Sequence, residues 1–108
     1  MNQEKKISVV TATYNDAENL RRIVKQVLSQ DYKNLEYIIV DGASRDDTME
    51  VIRETKERMG ERLLWISEPD SGIYDALNKG FGMATGDILG CCFDEYAHPQ
   101  VLSHMVEI

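Results

Sequence analysis

Four short apolar runs alternate with amphipathic segments along the chain, and their order predicts the fold. The runs are rich in β-branched residues, as in strands buried on both faces. They cover Ile7–Thr13, Tyr37–Asp41, Leu63–Ser67 and Ile88–Phe93. The segments between them carry apolar residues at helical spacing. This alternation predicts an α/β, Rossmann-like fold, in which a mostly parallel sheet with right-handed crossovers is flanked by helices.

The first and third amphipathic segments predict two helices. Asn15 is predicted to cap the first helix, with Glu18 at the third helical position. The buried stripe of this helix is predicted to be Leu20, Ile23, Val24, Val27 and Leu28. The segment 73–84 carries a shorter helical pattern, which Gly80 and Gly82 are expected to interrupt.

The second amphipathic segment predicts a helix with clear start and stop signals. Ser44 is predicted to be its N-cap, and Asp46 and Asp47 are predicted to complement the helix dipole in the first turn. Gly60 is predicted to end the helix. The predicted buried stripe is Val51, Ile52, Thr55 and Met59.

Composition narrows the class of protein. The chain has 108 residues, of which 43% are hydrophobic, and this predicts one globular domain over residues 1–108. A net charge of -7 argues against nucleic acid as a partner. Cys91 and Cys92 have no metal-site spacing and are predicted to be buried thiols in a reducing compartment. No run resembles a signal peptide or a membrane span, which predicts a cytoplasmic location.

Polar side chains follow every predicted strand. They are Thr13, Tyr14, Asn15, Asp41, Glu68, Asp70, Asp94 and Glu95. The carboxyl ends of parallel strands meet at one edge of a sheet, where α/β proteins bind ligands. Asp41 ends a buried apolar run before the second helix begins, so it is not needed to complement the dipole of that helix. It therefore either stabilises the fold or binds a ligand. Clustered carboxylates repel unless a cation holds them, and oxygen ligands favour Mg²⁺ or Mn²⁺.

The sequence lacks the motifs of several other nucleotide- and phosphate-binding proteins. No P-loop sequence is present, and "GFGMATG" (residues 80–86) does not follow a strand as a dinucleotide fingerprint would. We interpret that segment as flexible backbone leading into the fourth strand. The acid pair and late lysine of a receiver domain are not found in order, and "TATYNDAENL" lacks the phosphate loop of a nucleotidyltransferase.

Four blocks in order resemble the nucleotide-sugar domain of inverting GT-A glycosyltransferases of family 2. The blocks are "SVVTATYNDAENL", "IIVDGASRDDT", "SEPDSGIYDALNKG" and "ATGDILG". The resemblance implies a parallel α/β sheet that holds a UDP-, GDP- or dTDP-sugar for transfer, with inversion, to an acceptor hydroxyl.

The resemblance also implies roles for individual residues. The positions that match nucleotide-sugar contacts of the family are Thr11, Thr13, Tyr14, Asp41, Asp70 and Lys79. Tyr14 would lie near the base, and Asp41 would accept a hydrogen bond from a base N–H and so select the nucleotide. Lys79 either lines the pocket or faces solvent.

The expected metal motif departs from the family pattern. The family follows "GDILG" with an aspartate pair, whereas this chain has Phe93, Asp94, Glu95 and Tyr96 after its two cysteines. Either Asp94 is the metal ligand and Phe93 replaces its partner, or the pair is Asp94 with Glu95. We favour Asp94 as the ligand of Mg²⁺ or Mn²⁺, with Glu95 as the alternative.

Length sets the remaining expectations. Catalytic domains of the family extend well past this length, so we expect the chain to be a donor-binding half without the acceptor half and its general base. The acceptor would be a glycan or a lipid-linked molecule in polysaccharide biosynthesis, and the cytoplasmic location would include the inner face of the membrane. An exposed face left by the missing half would favour homo-oligomers. The alternative is a module that binds nucleotide sugars without catalysis.

Overall fold

The computed structural model describes residues 5–91. It contains four strands, three α-helices and one 3₁₀ turn. In chain order these are β1 (Ile7–Thr13), α1 (Ala17–Leu28), β2 (Leu35–Asp41), α2 (Thr48–Met59), the 3₁₀ turn (Gly60–Arg62), β3 (Leu63–Ser67), α3 (Ile73–Met83) and β4 (Ile88–Cys91). The predicted order of strands and helices is therefore confirmed.

The strands form one parallel sheet in the order β3-β2-β1-β4. Thr13 lies opposite Asp41, and Asp41 lies opposite Ser67, so three strands end in one row. The strand order reverses between β1 and β4, because the crossover from β3 carries the chain to the other side of β1. The predicted α/β class is confirmed, and the carboxyl end of β1 lies at the switch point where such sheets bind ligands.

Helices cover both faces of the sheet. On one face α1 and α2 pack over a core that includes Ile7, Val9, Leu20, Ile23, Val27, Tyr37, Ile39, Val51, Ile52 and Met59. On the other face α3 packs over a smaller core that includes Val10, Ile38, Val40, Ala76, Leu77 and Phe81. Because helices cover both faces of the sheet, β2 is buried along its whole length, as its apolar run predicted.

The predicted helical stripes are buried against this sheet. All four predicted residues of α2 are buried, and in α1 only Leu28 of the predicted stripe is half-buried rather than buried. Gly60 follows α2 with a φ of 60°, a conformation that favours glycine, so its predicted role at the helix end is confirmed.

The third helix differs from its prediction. Gly80 and Gly82 lie inside α3 and do not interrupt it, so the interpretation of residues 80–83 as flexible backbone is wrong. Gly80 is buried where the helix crosses the sheet, and a Cβ there would overlap Cγ1 of Val10. The glycine therefore lets α3 approach β1 closely, and this contact depends on tertiary packing rather than on helix propensity.

Cys91 is exposed at the end of β4, so the prediction that it is a buried thiol is wrong. It lies on the outer strand of the described sheet, where only β1 is its neighbour. Cys92 lies outside the described residues.

A buried carboxylate ties the amino end of the sheet together. Glu36 on β2 is only 4% exposed, and its carboxylate accepts hydrogen bonds from the Ser8 hydroxyl at 2.5 Å and the Thr85 N–H at 2.6 Å. The Ser8 hydroxyl in turn accepts the Gly86 N–H at 2.8 Å, and the Lys6 ammonium lies 3.6 Å from Glu36. These contacts anchor the loop between α3 and β4 to the two central strands.

Burial by itself raises the pKa of Glu36, but the hydrogen bonds from Ser8 and Thr85 outweigh it and hold the pKa below its ordinary value. Because the folded-state pKa is lowered, the ionised group stabilises the fold fully above its ordinary value near 4.3. That contribution is lost as the pH falls through the lower, folded-state pKa.

We expect Glu36→Gln to lower the free energy of unfolding by about 1 to 2 kcal/mol at pH 7, because an amide NH₂ would face the Thr85 N–H. The deficit relative to wild type should shrink as the pH falls below about 4. Urea unfolding from pH 7 to pH 3 measures this, with Glu57→Gln on the exposed side of α2 as the control. A deficit that does not change with pH would contradict the assigned role of the charge.

Candidate functional site

A cleft of about 260 Å³ opens at the carboxyl end of β1. It is lined by Ala12, Thr13, Tyr14, Asp70, Gly72, Ile73 and Ala76. The end of β1 forms one wall, and the loop before α3 together with the first turn of α3 forms the other. The structure thus brings together three of the predicted site residues, Thr13, Tyr14 and Asp70, at the switch point of the sheet.

The cleft has an aromatic wall and an acidic wall. Tyr14 is 61% exposed, so its ring presents a face to solvent. Asp70 accepts the Gly72 N–H on Oδ1 at 3.0 Å, which leaves Oδ2 directed at the end of β2. A ring face and a carboxylate in one cleft suit a ligand that carries both a flat ring and hydroxyl or N–H donors.

The backbone ladder of the sheet continues past the strand ends and orders the loops beneath the cleft. The Gly42 N–H donates to the Thr13 carbonyl at 3.0 Å, and the Glu68 N–H donates to the Asp41 carbonyl at 2.9 Å. The loops that follow β1, β2 and β3 therefore begin from a fixed frame.

Asp41 organises this frame from inside. Its side chain is fully buried and accepts hydrogen bonds from the Ser67 hydroxyl at 2.7 Å and the Ser44 N–H at 2.9 Å, and also from the Ser44 hydroxyl. Ser44 therefore does not cap α2, which begins only at Thr48, and that prediction is wrong. The Ser44 hydroxyl lies four residues before Thr48, and it donates to Asp41 while it accepts the Asn15 N–H, so it serves the loops rather than the helix end.

Asn15 joins the first two loops instead of capping α1. It has a φ of 47°, and its side-chain oxygen accepts the Arg45 N–H at 2.7 Å, while its own N–H donates to the Ser44 hydroxyl at 2.7 Å. The N-cap position of α1 is Asp16, so the predicted cap at Asn15 is wrong. Asparagine tolerates this left-handed conformation better than most residues, which suits it to the position.

Asp46 and Asp47 precede α2 rather than lying in its first turn, so their predicted position is wrong, but Asp46 binds backbone N–H groups at the starts of two helices. Its carboxylate accepts the Thr48 N–H at 3.0 Å at the start of α2 and the Ala17 N–H at 3.2 Å at the start of α1. The hydrogen bond from the Thr48 hydroxyl, with these two N–H groups, holds the pKa of Asp46 below its usual range. The starts of α1 and α2 are thereby held next to each other.

Lys79 holds the loop that carries Asp70. Its ammonium donates to the Pro69 carbonyl at 3.1 Å and lies 3.2 Å from Glu68 and 3.6 Å from Asp75. Burial by itself lowers the pKa of Lys79, but the hydrogen bond to Glu68 and the charge of Asp75 outweigh it and raise the pKa. Lys79 therefore faces this loop through Pro69 and Glu68, and Asp75 of the same helix adds a longer ion pair.

The remaining predicted residues lie apart from the cleft or outside the described chain. Thr11 is fully buried within the sheet, and its hydroxyl accepts a hydrogen bond from Tyr37 at 2.9 Å. Asp94 and Glu95 lie outside the described residues. Within residues 5–91, no group of three or more His, Cys, Asp or Glu side chains is placed to hold a metal ion. In the same range, no helix is long and apolar enough to cross a membrane.

Sequence reasoning missed two residues that shape the site. Ser67 ends β3 and donates to Asp41, and Gly42 directly follows β2 beside Tyr14 and Asp70. A glycine directly after a buried strand was the available signal for Gly42, because such a residue often marks a close approach of another group. No local pattern distinguished Ser67, since its partner lies 26 residues away.

A parallel sheet with an aromatic and acidic cleft at its switch point defines an α/β ligand-binding domain, and comparison with known proteins gives its family. Residues 8–108 match the family described as glycosyl transferase family 2. The chain belongs to that family, and its predicted resemblance to family 2 is confirmed at this level.

Curated relatives of the chain are named glycosyltransferases. The chain is 38% identical over 104 residues to an uncharacterized glycosyltransferase of Mycobacterium tuberculosis, which covers 94% of this chain and 38% of the relative. It is 34% identical over 79 residues to a PGL/p-HBAD biosynthesis glycosyltransferase of Mycobacterium bovis, covering 73% of this chain and 31% of the relative. The chain thus spans well under half of the length of these relatives.

Solved structures share the fold. The mannosyltransferase PcManGT from Pyrobaculum calidifontis, in complex with GDP-Man and Mn²⁺, matches with a TM-score of 0.83 and 28% identity over 94% of this chain and 31% of its own. TarS from S. aureus in complex with UDP-GlcNAc matches with a TM-score of 0.85, covering 94% of this chain and 30% of its own. At 20% identity, the likeness to TarS concerns the fold alone.

Proposed function

We propose that this chain is the donor-binding half of a glycosyltransferase and that the cleft beside β1 holds the nucleoside of a nucleotide sugar. The observation that carries the proposal is the convergence of Thr13, Tyr14 and Asp70 on one cleft of about 260 Å³ at the switch point of the sheet. The likeness to a mannosyltransferase that binds GDP-Man supports the same ligand class.

The residues of the cleft divide the recognition of the nucleoside between them. The exposed ring of Tyr14 offers a stacking surface for the base, since every base has a π-face. The second oxygen of Asp70 offers an acceptor for a ribose hydroxyl or a base N–H. Asp41 accepts three hydrogen bonds from the protein, so its contribution to base selection requires a fourth donor at its carboxylate.

A divalent cation is part of this proposal. Asp94 remains the proposed ligand, with Glu95 as the alternative, because carboxylate oxygens are the donors that Mg²⁺ and Mn²⁺ prefer. Bound there, the cation would offset the negative charge of the diphosphate. The chain itself has a net charge of -7, so a cation would favour binding of this anionic ligand. The ammonium of Lys79 binds Pro69, Glu68 and Asp75. We therefore assign it to holding the loop that carries Asp70 rather than to binding the diphosphate.

The activity we propose for the whole protein is sugar transfer with inversion. An acceptor hydroxyl of a glycan or a lipid-linked sugar would attack the anomeric carbon while the bond to the nucleoside diphosphate breaks. A carboxylate base would take the hydroxyl proton, and the portion of the relatives that this chain does not span would supply it. We place this activity in the cytoplasm, at the inner face of the membrane for a lipid-linked acceptor.

Titration calorimetry tests donor binding. We expect UDP- or GDP-sugars to bind the chain with Mn²⁺ present, and Tyr14→Ala to raise the Kd about tenfold, because base stacking on an aromatic ring contributes about 1 to 3 kcal/mol. Tyr74→Ala is the matched control, since Tyr74 is 81% exposed and is not part of the described cleft lining.

Two results would decide against parts of the proposal. Absence of binding by any nucleotide sugar, with and without Mn²⁺, would remove the donor-binding function. Binding together with no transfer by a chain extended to the length of its relatives would favour a non-catalytic binding module.

A further inference from the structure

Gly42 lies at the point where the two walls of the cleft meet. A Cβ atom at this position would lie 3.1 Å from Oδ2 of Asp70 and 3.2 Å from Cδ1 of Tyr14, whereas ordinary contacts begin at 3.4 Å. The aromatic wall and the acidic wall therefore both rest on the bare backbone of the residue that follows β2.

Space, rather than backbone conformation, requires glycine here. The described glycines with a left-handed φ are Gly60 and Gly72, so Gly42 has a conformation that alanine also adopts. Its backbone is held in place, because its N–H donates to the Thr13 carbonyl and the preceding Asp41 is fully buried. An added methyl group would thus displace the side chains above it and leave the strand where it is.

The two side chains differ in how readily they move. Tyr14 is 61% exposed, so its ring can rotate outward with little loss of packing. Asp70 is restrained by the hydrogen bond from the Gly72 N–H and by the loop that Lys79 holds through Pro69. A methyl group at position 42 would therefore change the position of the ring relative to the carboxylate.

We infer that Gly42 is a positioning residue that determines the spacing of Tyr14 and Asp70 and thereby the affinity of the cleft for a nucleoside. The inference rests on the proposed function, since it assigns the two walls to one ligand. The added Cβ must move both Asp70 and Tyr14 away by a few tenths of an ångström. The two displacements together approach about 0.5 Å, the tolerance within which a binding site must hold its contacts.

The test compares Gly42→Ala with Gly82→Ala, using UDP and GDP, each with Mn²⁺, as probes. We expect Gly42→Ala to raise the Kd of the nucleotide that wild type binds roughly tenfold, below the hundredfold that a 1 Å misplacement can cost. Its thermal unfolding midpoint should stay close to that of wild type. Gly82→Ala should bind as wild type does, because among the described residues no atom lies within 4 Å of its added Cβ.

A second comparison separates positioning from a general structural role. In a Tyr14→Ala background, the ring that the methyl group would displace is absent, so Gly42→Ala should raise the Kd only about threefold or less, a coupling of the kind that contacting residues show. This double variant also relieves one of the two contacts, so it should fold even where Gly42→Ala alone is unstable.

Each outcome supports or overturns a distinct claim. If wild type binds neither nucleotide, the proposed function and this inference both fail. If wild type binds and Gly42→Ala binds equally well, only the inference about Gly42 fails. It also fails if Gly42→Ala weakens binding to the same extent with and without the Tyr14 ring, or if the double variant is unfolded.

Discussion

Replacing Gly80 with alanine is expected to lower the free energy of unfolding by about 2 to 3 kcal/mol, the upper part of the range for overpacked cores. Gly80 is buried in α3, and its added Cβ would overlap Cγ1 of Val10 and lie 3.2 Å from Cγ2 of Val40. Both valines belong to central strands with neighbours on each side, so α3 must move away from the sheet.

Gly82→Ala is the matched control for this effect, because it lies two residues further along the same helix. Among the described residues, no atom lies within 4 Å of its added Cβ, so the alanine gains helix propensity without a clash. We expect it to raise the free energy of unfolding by about 0.5 to 1 kcal/mol. Urea unfolding of both variants measures the difference, and changes of the same sign would contradict the proposed contact between α3 and the sheet.

Asp41→Asn is expected to lower the free energy of unfolding by about 2 to 3 kcal/mol, because hydrogen bonds to charged groups contribute about 1.5 to 3 kcal/mol each. The carboxylate is fully buried and accepts from Ser44 and Ser67. An asparagine keeps the volume but removes the charge, so the Ser44 N–H and the Ser67 hydroxyl bind a neutral oxygen, and the Ser44 hydroxyl meets an NH₂ group in place of its charged acceptor.

The effect of Asp41→Asn should extend to the loop after β2. Amide hydrogen exchange at Ser44 should become faster than in wild type, since a neutral amide oxygen is a weaker acceptor for its N–H than the carboxylate oxygen now at 2.9 Å. Asp47→Asn is the control, as Asp47 is exposed at the start of α2. Equal stability of the two variants would show that Asp41 does not organise the loop and would leave ligand binding as its remaining role.

Most strand and helix ends were predictable to within a residue or two, but α2 begins at Thr48, three residues later than the predicted cap at Ser44 implied. The β-branched run of β1 and the stripe of α2 were both located from spacing alone, because burial of a strand or helix face depends on residues that are close in sequence. The predicted β2 began at Tyr37, two residues late, because the charged Glu36 separates Leu35 from the apolar run. The carboxylate of Glu36 is buried, and hydrogen bonds from Ser8 and Thr85 offset the cost of removing its charge from water. Both residues lie far from Glu36 in the sequence.

The candidate site was predictable in outline. The placement of polar groups after each strand identified the edge of the sheet, and Thr13, Tyr14 and Asp70 share a cleft there. Thr11 was assigned to the same ligand by resemblance, yet alternation along β1 buries it against Tyr37. The metal-binding prediction at Asp94 and Glu95 stays a prediction, because both lie outside the described residues.

By itself, the sequence determined the class of fold and the edge of the sheet where the candidate site lies, because both follow from local periodicity and from the direction of parallel strands. Only the tertiary structure decided what each polar side chain does. Asn15 and Ser44 could each have capped the helix beside them, but they bind a neighbouring loop and Asp41 instead. Short polar side chains have several possible partners within reach, and the packing of distant strands selects among them.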